Sequence, residues 1–286
     1  MPGINKETWI ALIKEGMTPA TSFLSRSVDM SENVDYNTIN LAEAGVDPKV
    51  IIDNTIFPVP SAQRQDTPLQ LPLHTFDTEN TIVRNIEEKE SAYNKMESVV
   101  RSHRNALLRK TSTFAAHSWA PAAAGQLSLV VASAGAVNKS GLKAASFEDF
   151  LNMEARFMEM ELDPASLVLV LNPIHRADLQ AEDMKLYKEV MSSGKLFSFA
   201  LFVSTVLPYY DTTTGGKKAY GAATTANDTQ CSLIYSDAEV MRANGDIEVF
   251  VKYKDPAERG DIIGFQQRFT ALQIRGKYTG AIYSGK

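Results

Sequence analysis

Four histidines, one cysteine, a few close carboxylates and one glycine-flanked lysine are the residues of this chain whose types could do chemistry, so their spacing comes first. The histidines are His74, His103, His117 and His175. None forms a His-x-x-x-His or His-Glu-x-x-His pair, so no single helix turn presents two imidazoles to one zinc ion. His175 follows Asn172-Pro173 at a turn from an apolar strand into a helix. A catalytic histidine can occupy such a turn, but no nucleophile is spaced nearby to use it. His103 falls on an apolar stripe and reads as a satisfied core or interface histidine. Cys231 is the lone cysteine, which excludes an internal disulfide and a cysteine metal cluster. Beside Leu233 and Ile234 it reads as a buried, inert thiol. Gly216-Lys217 approaches a phosphate-binding loop, but Asp211 stands where the first glycine belongs and Lys218 follows the lysine. The segment reads as a flexible, exposed loop. Glu87–Glu88 and Glu159–Glu161 are spaced as solvated helix faces. Arg101, Arg104, Arg109 and Lys110 could meet phosphate, and helix-end charge explains them equally well. No residue is therefore assigned a catalytic, cofactor-binding or metal-binding role. An enzyme with a site near His175 and the 211–221 loop is kept as the alternative from a different functional class.

The bulk composition narrows the choices. The 286 residues allow one large domain or two modest ones. The hydrophobic fraction of 44% and charged fraction of 22% are those of a globular protein. A net charge of −5 argues against a dedicated nucleic-acid binder. The N-terminal stretch lacks the pattern of a secretory signal, and no apolar run approaches the length of a membrane span. The methionines at 153, 158, 160, 184, 191 and 241 read as core filling.

The elements that would position these groups centre on residues 86–117. That stretch contains neither glycine nor proline, and Ile86, Tyr93, Val100, Leu107 and Phe114 recur every seven residues, with Met96 and His103 three after two of them. A helix of that length would run roughly 45 Å. Glu87, Glu88 and Glu90 open it and Arg104, Arg109 and Lys110 close it, which complements the helix dipole. Before it, residues 1–55 read as a loosely structured arm with a short helix at Lys6–Lys14 carrying Trp9, Ile10 and Ile13. Residues 56–80 read as a proline-tolerant hairpin, with Leu69, Leu71 and Leu73 on one face, Gln70 and His74 on the other, and a tip at Gln63–Thr67. After it come a strand at Leu127–Ala132 and a helix capped by Ser146 and Asp149 with Phe147, Phe150, Leu151, Phe157 and Met158 inward. A buried strand at Ser166–Leu171 leads to a helix at Arg176–Ser192 ending at Gly194. Leu196–Leu207 reads as one buried strand and Gln230–Tyr235 as a short one. Ile247–Tyr253 reads as a half-buried strand, and Ile262–Arg275 and Tyr278–Tyr283 close the chain. The order is mixed α+β.

This order of parts resembles the major capsid proteins of tailed bacteriophages, whose fold is shared with encapsulin shells and the herpesvirus capsid floor. Four stretches carry the resemblance: the arm at 1–55; the hairpin at 57–76 running through Asp77-Thr78-Glu79-Asn80 into the long helix; the strand, Asn-Pro turn and helix of Leu167–Leu179; and the terminal strands at Asp246–Lys254, Phe265–Ile274 and Tyr278–Ser284. The resemblance implies a phage major-capsid fold divided into an N-terminal arm at 1–55, an extended loop at 56–80, a peripheral domain at 81–164 with a spine helix at 86–117, an axial α+β domain at 165–245, and terminal strands at 246–286 that return to the peripheral domain. It further implies a structural subunit without catalysis, found in the virion, assembled in the host cytoplasm, and forming hexamers and pentamers with copies of itself. Scaffold, portal and decoration proteins are its expected partners. The shell would enclose double-stranded DNA without sequence-specific binding, or, in an encapsulin-like compartment, a cargo enzyme. Only some 55 residues precede the hairpin, so a separate scaffold protein or none is expected. The spine helix is expected to lie on an antiparallel sheet formed partly by residues 246–284, with Val100 and Leu107 buried.

Overall fold

The computed structural model describes residues 2–16, 22–35, 38–43, 67–84, 95–138 and 140–286. The chain opens with helix α1 (Pro2–Gly16), then short strands β1 (Val28–Asp29) and β2 (Val34–Asp35). Strands β3 (Thr38–Glu43), β4 (Thr67–Pro72), β5 (His74–Asp77) and β6 (Thr81–Arg84) precede the spine helix α2 (Lys95–Trp119). Strand β7 (Ser128–Ala132), helix α3 (Phe147–Glu159), strand β8 (Leu167–Leu171) and helices α4 (Pro173–Glu182) and α5 (Met184–Ser193) follow. The chain ends in eight strands: β9 (Lys195–Leu196), β10 (Phe199–Val203), β11 (Tyr209–Asp211), β12 (Asp228–Gln230), β13 (Ser232–Ser236), β14 (Val240–Asp255), β15 (Gly260–Gln273) and β16 (Thr279–Tyr283). Among the described residues no helix is long and apolar enough to cross a membrane.

The long antiparallel pair β14–β15 is the frame of a five-stranded sheet, with β1 on its outer edge and β5 and β6 sharing the far side of β15. The expected alternation holds along β14: Ile247, Val249 and Val251 face the spine helix, and Phe250 points away, 53% exposed. Val100 and Leu107 pack there against Ile263 and Phe265, as the heptad stripe requires. The described helix runs two residues beyond His117 to Trp119; Ile86, the opening glutamates and Tyr93 lie outside the described residues. A register shift in β14 between Asn244 and Ile247 brings Gly245 onto its neighbours. A Cβ there would stand 2.8 Å from both Arg268 Cβ and Leu73 Cδ2, so only glycine fits.

The described part of the N-terminal segment packs on the rest of the subunit more than its polar composition implies. Helix α1 is longer than the Lys6–Lys14 expected, and Ile13 is fully buried beside Val100 and Leu107. Phe23 and Leu24 are buried against Trp119. The buried Arg242 guanidinium donates to the carbonyls of Leu24 (2.6 Å) and Ser27 (3.0 Å), to Ser27 Oγ (2.7 Å) and to the Asp29 carboxylate (2.9 Å). The arm thus has hydrogen-bond partners on the subunit's own sheet, which propensity cannot show. The hairpin expected within 56–80 has a different described partner: β4 pairs with β3, from Thr38↔Pro72 to Glu43↔Thr67. Residues 44–66, with most of the expected hairpin tip, lie outside the described residues.

A second, six-stranded sheet runs β7-β16-β13-β8-β10-β9. The last strand, β16, therefore joins this sheet and not the one beneath the spine helix; its neighbours are β7 and β13. Strand β8 is buried along its whole length. Leu167, Leu169 and Leu171 face α3, and Val168 and Val170 face the end of the spine helix, which is why its sequence is apolar without alternation. Three local readings are corrected. The helix expected over 176–192 is two helices, because Asp183 leaves helical geometry (φ −144, ψ 106) and caps the second through Lys185 N and Leu186 N. The strand expected over 196–207 is a hairpin of β9 and β10 turned by Phe197 at φ 54. On α3 the capping box forms as expected, but the inward stripe is Phe147, Phe150, Met153 and Phe157, while Leu151 and Met158 are 49% and 45% exposed. At 100° per residue the stripe centred on Phe150 and Phe157 leaves the following residue on the flank. The methionine set divides likewise: Met153 and Met241 are core, Met158 and Met184 exposed.

Trp119 is fully buried where the two sheets meet. Trp119→Ala should cost about 3–5 kcal/mol by urea unfolding, whereas Lys188→Ala, at an exposed helix position, should change stability by no more than about 0.5 kcal/mol. Equal effects would contradict the packing described.

Candidate functional site

His175 enters α4 one turn after Asn172, whose side chain caps the helix through Ile174 N (2.8 Å). The same side chain donates to Gln230 O (2.8 Å), and Asn172 N donates to Ser232 Oγ (3.0 Å). These bonds tie the start of α4 to the β12–β13 junction and place Ser232 Oγ 2.7 Å from His175 Nδ1. On the other side Ser284 Oγ lies 3.0 Å from Nε2. A neutral imidazole donates through one nitrogen and accepts through the other, and the two serine hydroxyls supply a partner for each. The sequence showed no nucleophile near His175; two hydroxyls reach it from 57 and 109 residues away. The three side chains do not form an accessible serine–histidine pair. His175 and Ser232 are fully buried and Ser284 is 2% exposed. Burial lowers the imidazole pKa to about 4, so it is neutral at physiological pH. With both nitrogens bonded and no exposed face, it joins β8–α4 to β13 and to the chain end.

The 211–221 loop is likewise committed to the fold, and Lys217 corrects the expectation of a freely exposed loop. Asp211 Oδ1 accepts from Thr213 N (2.7 Å) and Thr214 N (3.1 Å), so the amides that would cradle a phosphate bond their own carboxylate. Those bonds hold its pKa below the usual carboxylate range. Lys217 Nζ donates to the carbonyls of His117 (2.9 Å) and Ala120 (2.6 Å), and its amide donates to Ala122 O (3.0 Å). A cation here satisfies carbonyls at the C-terminus of the spine helix and complements its dipole. Burial of the amine lowers its pKa. His117 Nε2 donates to Lys218 O (2.9 Å), and Lys218 pairs with Asp228 at 3.0 Å. The loop and helix end therefore form one unit.

The remaining candidates stay apart. Cys231 is buried in one cluster with Tyr210, Ala281 and Tyr283, and burial raises its thiol pKa. His103 is buried against Phe265, its pKa lowered by desolvation, and His74 is exposed beside Phe114. Arg101 pairs with Glu97 one turn away. Glu159 and Glu161 are solvated, and Glu87–Glu88 lie outside the described residues. Among the described residues no three metal-ligating side chains converge. Sequence reasoning missed Glu154, which accepts from Ser198 N (3.1 Å) and from the Ser198 hydroxyl, holding the β9–β10 turn on α3. The available signal was a carboxylate spaced onto an apolar helix stripe.

No protein-family model and no curated protein matches the chain. Solved structures do. A chain of Mycobacterium phage Che8 superposes with a TM-score of 0.65 at 14% identity, covering 93% of this chain and 92% of that one. The capsid of Ralstonia phage GP4 gives 0.66 at 11% identity over 95% and 91%. A virus-like particle from Pyrococcus furiosus gives 0.57 at 9% identity over 97% and 99%. The fold is that of phage capsid proteins, and the correspondence runs through nearly the whole chain.

The two latches have measurable consequences. A histidine with a depressed folded pKa takes up a proton on unfolding, so stability should fall as pH drops from about 6.5 towards about 4, by at most about 1.4 kcal/mol per pH unit from this group. His175→Ala should lower stability at pH 7 by about 2–4 kcal/mol through its cavity and two stranded hydroxyls, and should flatten that slope in urea melts; an unchanged slope would remove His175 as its source. Lys217→Ala should cost about 1–3 kcal/mol and speed hydrogen exchange of the last turn of the spine helix, whereas unchanged exchange there would contradict the capping role.

Proposed function

We propose that this chain is the major capsid protein of a tailed phage: a structural subunit whose hexamers and pentamers close an icosahedral head around double-stranded DNA. The observation that carries the reading is a fold match to capsid structures spanning more than nine-tenths of both chains. The chemistry of the described residues agrees with it. The groups that looked reactive in the sequence are spent on holding elements together, as a subunit that must resist internal pressure would require.

In this reading the extended loop at 56–80 lies across a neighbouring subunit, the 211–229 loop approaches the capsomer axis, and the subunit resides in the virion after assembly in the host cytoplasm. A net charge of −5 favours a wall that confines DNA without binding its sequence. Scaffold, portal and decoration proteins would act at other stages of the same assembly. The match to a virus-like particle from Pyrococcus furiosus favours one second reading, a protein compartment that encloses cargo other than a genome.

Purified full-length chain should sediment as a large closed particle and show uniform shells in negative stain. A species that stays monomeric at micromolar concentration under assembly conditions would refute a shell subunit. Particles recovered from infected or expressing cells should protect double-stranded DNA from added nuclease if the head reading holds; a protected enzyme with no nucleic acid would favour the compartment.

A further inference from the structure

We infer that neighbouring copies pack head to tail, with the outer stripe of α3 on one copy seated in a groove beside the spine helix of the next. This deepens the shell reading and rests on it. The first surface is an apolar ridge. Leu151, Ala155 and Met158 recur at helical spacing along the flank of α3 beside its core-facing stripe, and all three are exposed. Glu154 on the same helix binds Ser198 of the β9–β10 turn, next in sequence to the 40%-exposed Phe197. Phe197 has φ 54, a conformation unfavourable for an aromatic residue, so a strained backbone position presents an exposed ring. The rim of the ridge carries the exposed Glu148, Glu159 and Glu161 against a single Arg156.

The second surface is a groove of about 660 Å³ between the spine helix and the 205–209 segment. Val206, Leu207 and Tyr209 line it on one side and Arg109 and Lys110 on the spine helix, and the polar Asn105, Thr113, Thr205 and Gln230 also line it. No carboxylate lines it among the described residues. Neither basic side chain ion-pairs with a described residue, and the three glutamates of the ridge are unpaired in the same sense. An apolar ridge flanked by unpaired glutamates and a groove that combines apolar side chains with an unpaired arginine and lysine are complementary in charge, which favours a second copy over an unrelated partner. The two surfaces sit on opposite faces of the six-stranded sheet. Helix α3 covers the face of Leu167, Leu169 and Leu171, and the spine helix end covers that of Val168 and Val170. One copy cannot satisfy its own ridge with its own groove. The contact is therefore heterologous, the kind that generates rings.

The test uses the full chain. Met158→Cys and Val206→Cys are made singly and together; the buried Cys231 is a silent background. Under mild oxidation the double variant should give a ladder of covalent multimers on a non-reducing gel and each single variant only monomer. Separately, Glu148→Lys/Glu159→Lys should reduce assembly at least tenfold at fixed protein concentration, and adding Arg109→Glu/Lys110→Glu should restore it. Particles that form normally with only the glutamates reversed, together with no ladder from the double-cysteine variant, would overturn the contact. A ladder from a chain that forms no particle would keep the contact and refute the shell reading. Absence of both particle and ladder would refute both.

Discussion

Trp119 holds three parts of the molecule at one point. Its indole N–H donates to Met241 O (3.1 Å) on the five-stranded sheet. Its ring meets Tyr235 of the six-stranded sheet at 5.1 Å and Phe23 of the N-terminal segment edge-on at 5.9 Å. The residue is the last of the spine helix, so the helix that lies on one sheet ends as a wedge against the other. An indole is suited to this role because it adds a large apolar contact to one directed hydrogen bond. Without it the helix keeps its stripe on β14 and β15, while its contact with β8 and β13 is left to Ala115, Ala116 and their neighbours.

The groups around that wedge extend the same arrangement. Tyr235 donates from its hydroxyl to Phe23 O (2.8 Å), and Arg242 collects the carbonyls at 24 and 27. Lys217 caps the helix end from the far side, and Gln273 donates to Trp119 O (2.6 Å). Each neutralises a backbone group that the junction of two sheets would otherwise leave buried and unpaired. The polar residues at this junction thus work on backbone carbonyls. That accounts for finding Lys217 and Arg242 indoors. It also leaves the outer face of α3 and the cationic flank of the spine helix as surfaces with charge that the subunit itself does not satisfy.

Where local pattern and tertiary packing agree, the sequence was legible. The heptad of Val100 and Leu107, the alternation of Ile247, Val249 and Val251, the continuous apolar run of β8, the Ser146–Asp149 box and Gly194 at φ 67 all follow from spacing and residue type. The breaks at Asp183 and Phe197 were not legible, because a hydrophobic run has the same composition whether the chain continues or turns. Nor was the order of the N-terminal segment, whose anchors on Arg242 and Tyr235 lie more than two hundred residues away.

The sequence alone determined the kinds and order of elements, the absence of a disulfide, and a resemblance carried by that order, because these depend on neighbours within a few residues. Only the tertiary structure decided that His175 is closed between Ser232 and Ser284, that Lys217 is a helix cap, and that β16 leaves its neighbour β15 for the other sheet. Each depends on which distant strand lies alongside, and strand pairing over long separations is selected by the packing of whole faces, not by any local string. The long helix illustrates both halves. Its stripe was written in the sequence, but the wedge at its end, where Trp119 meets two sheets at once, exists only when both sheets are present.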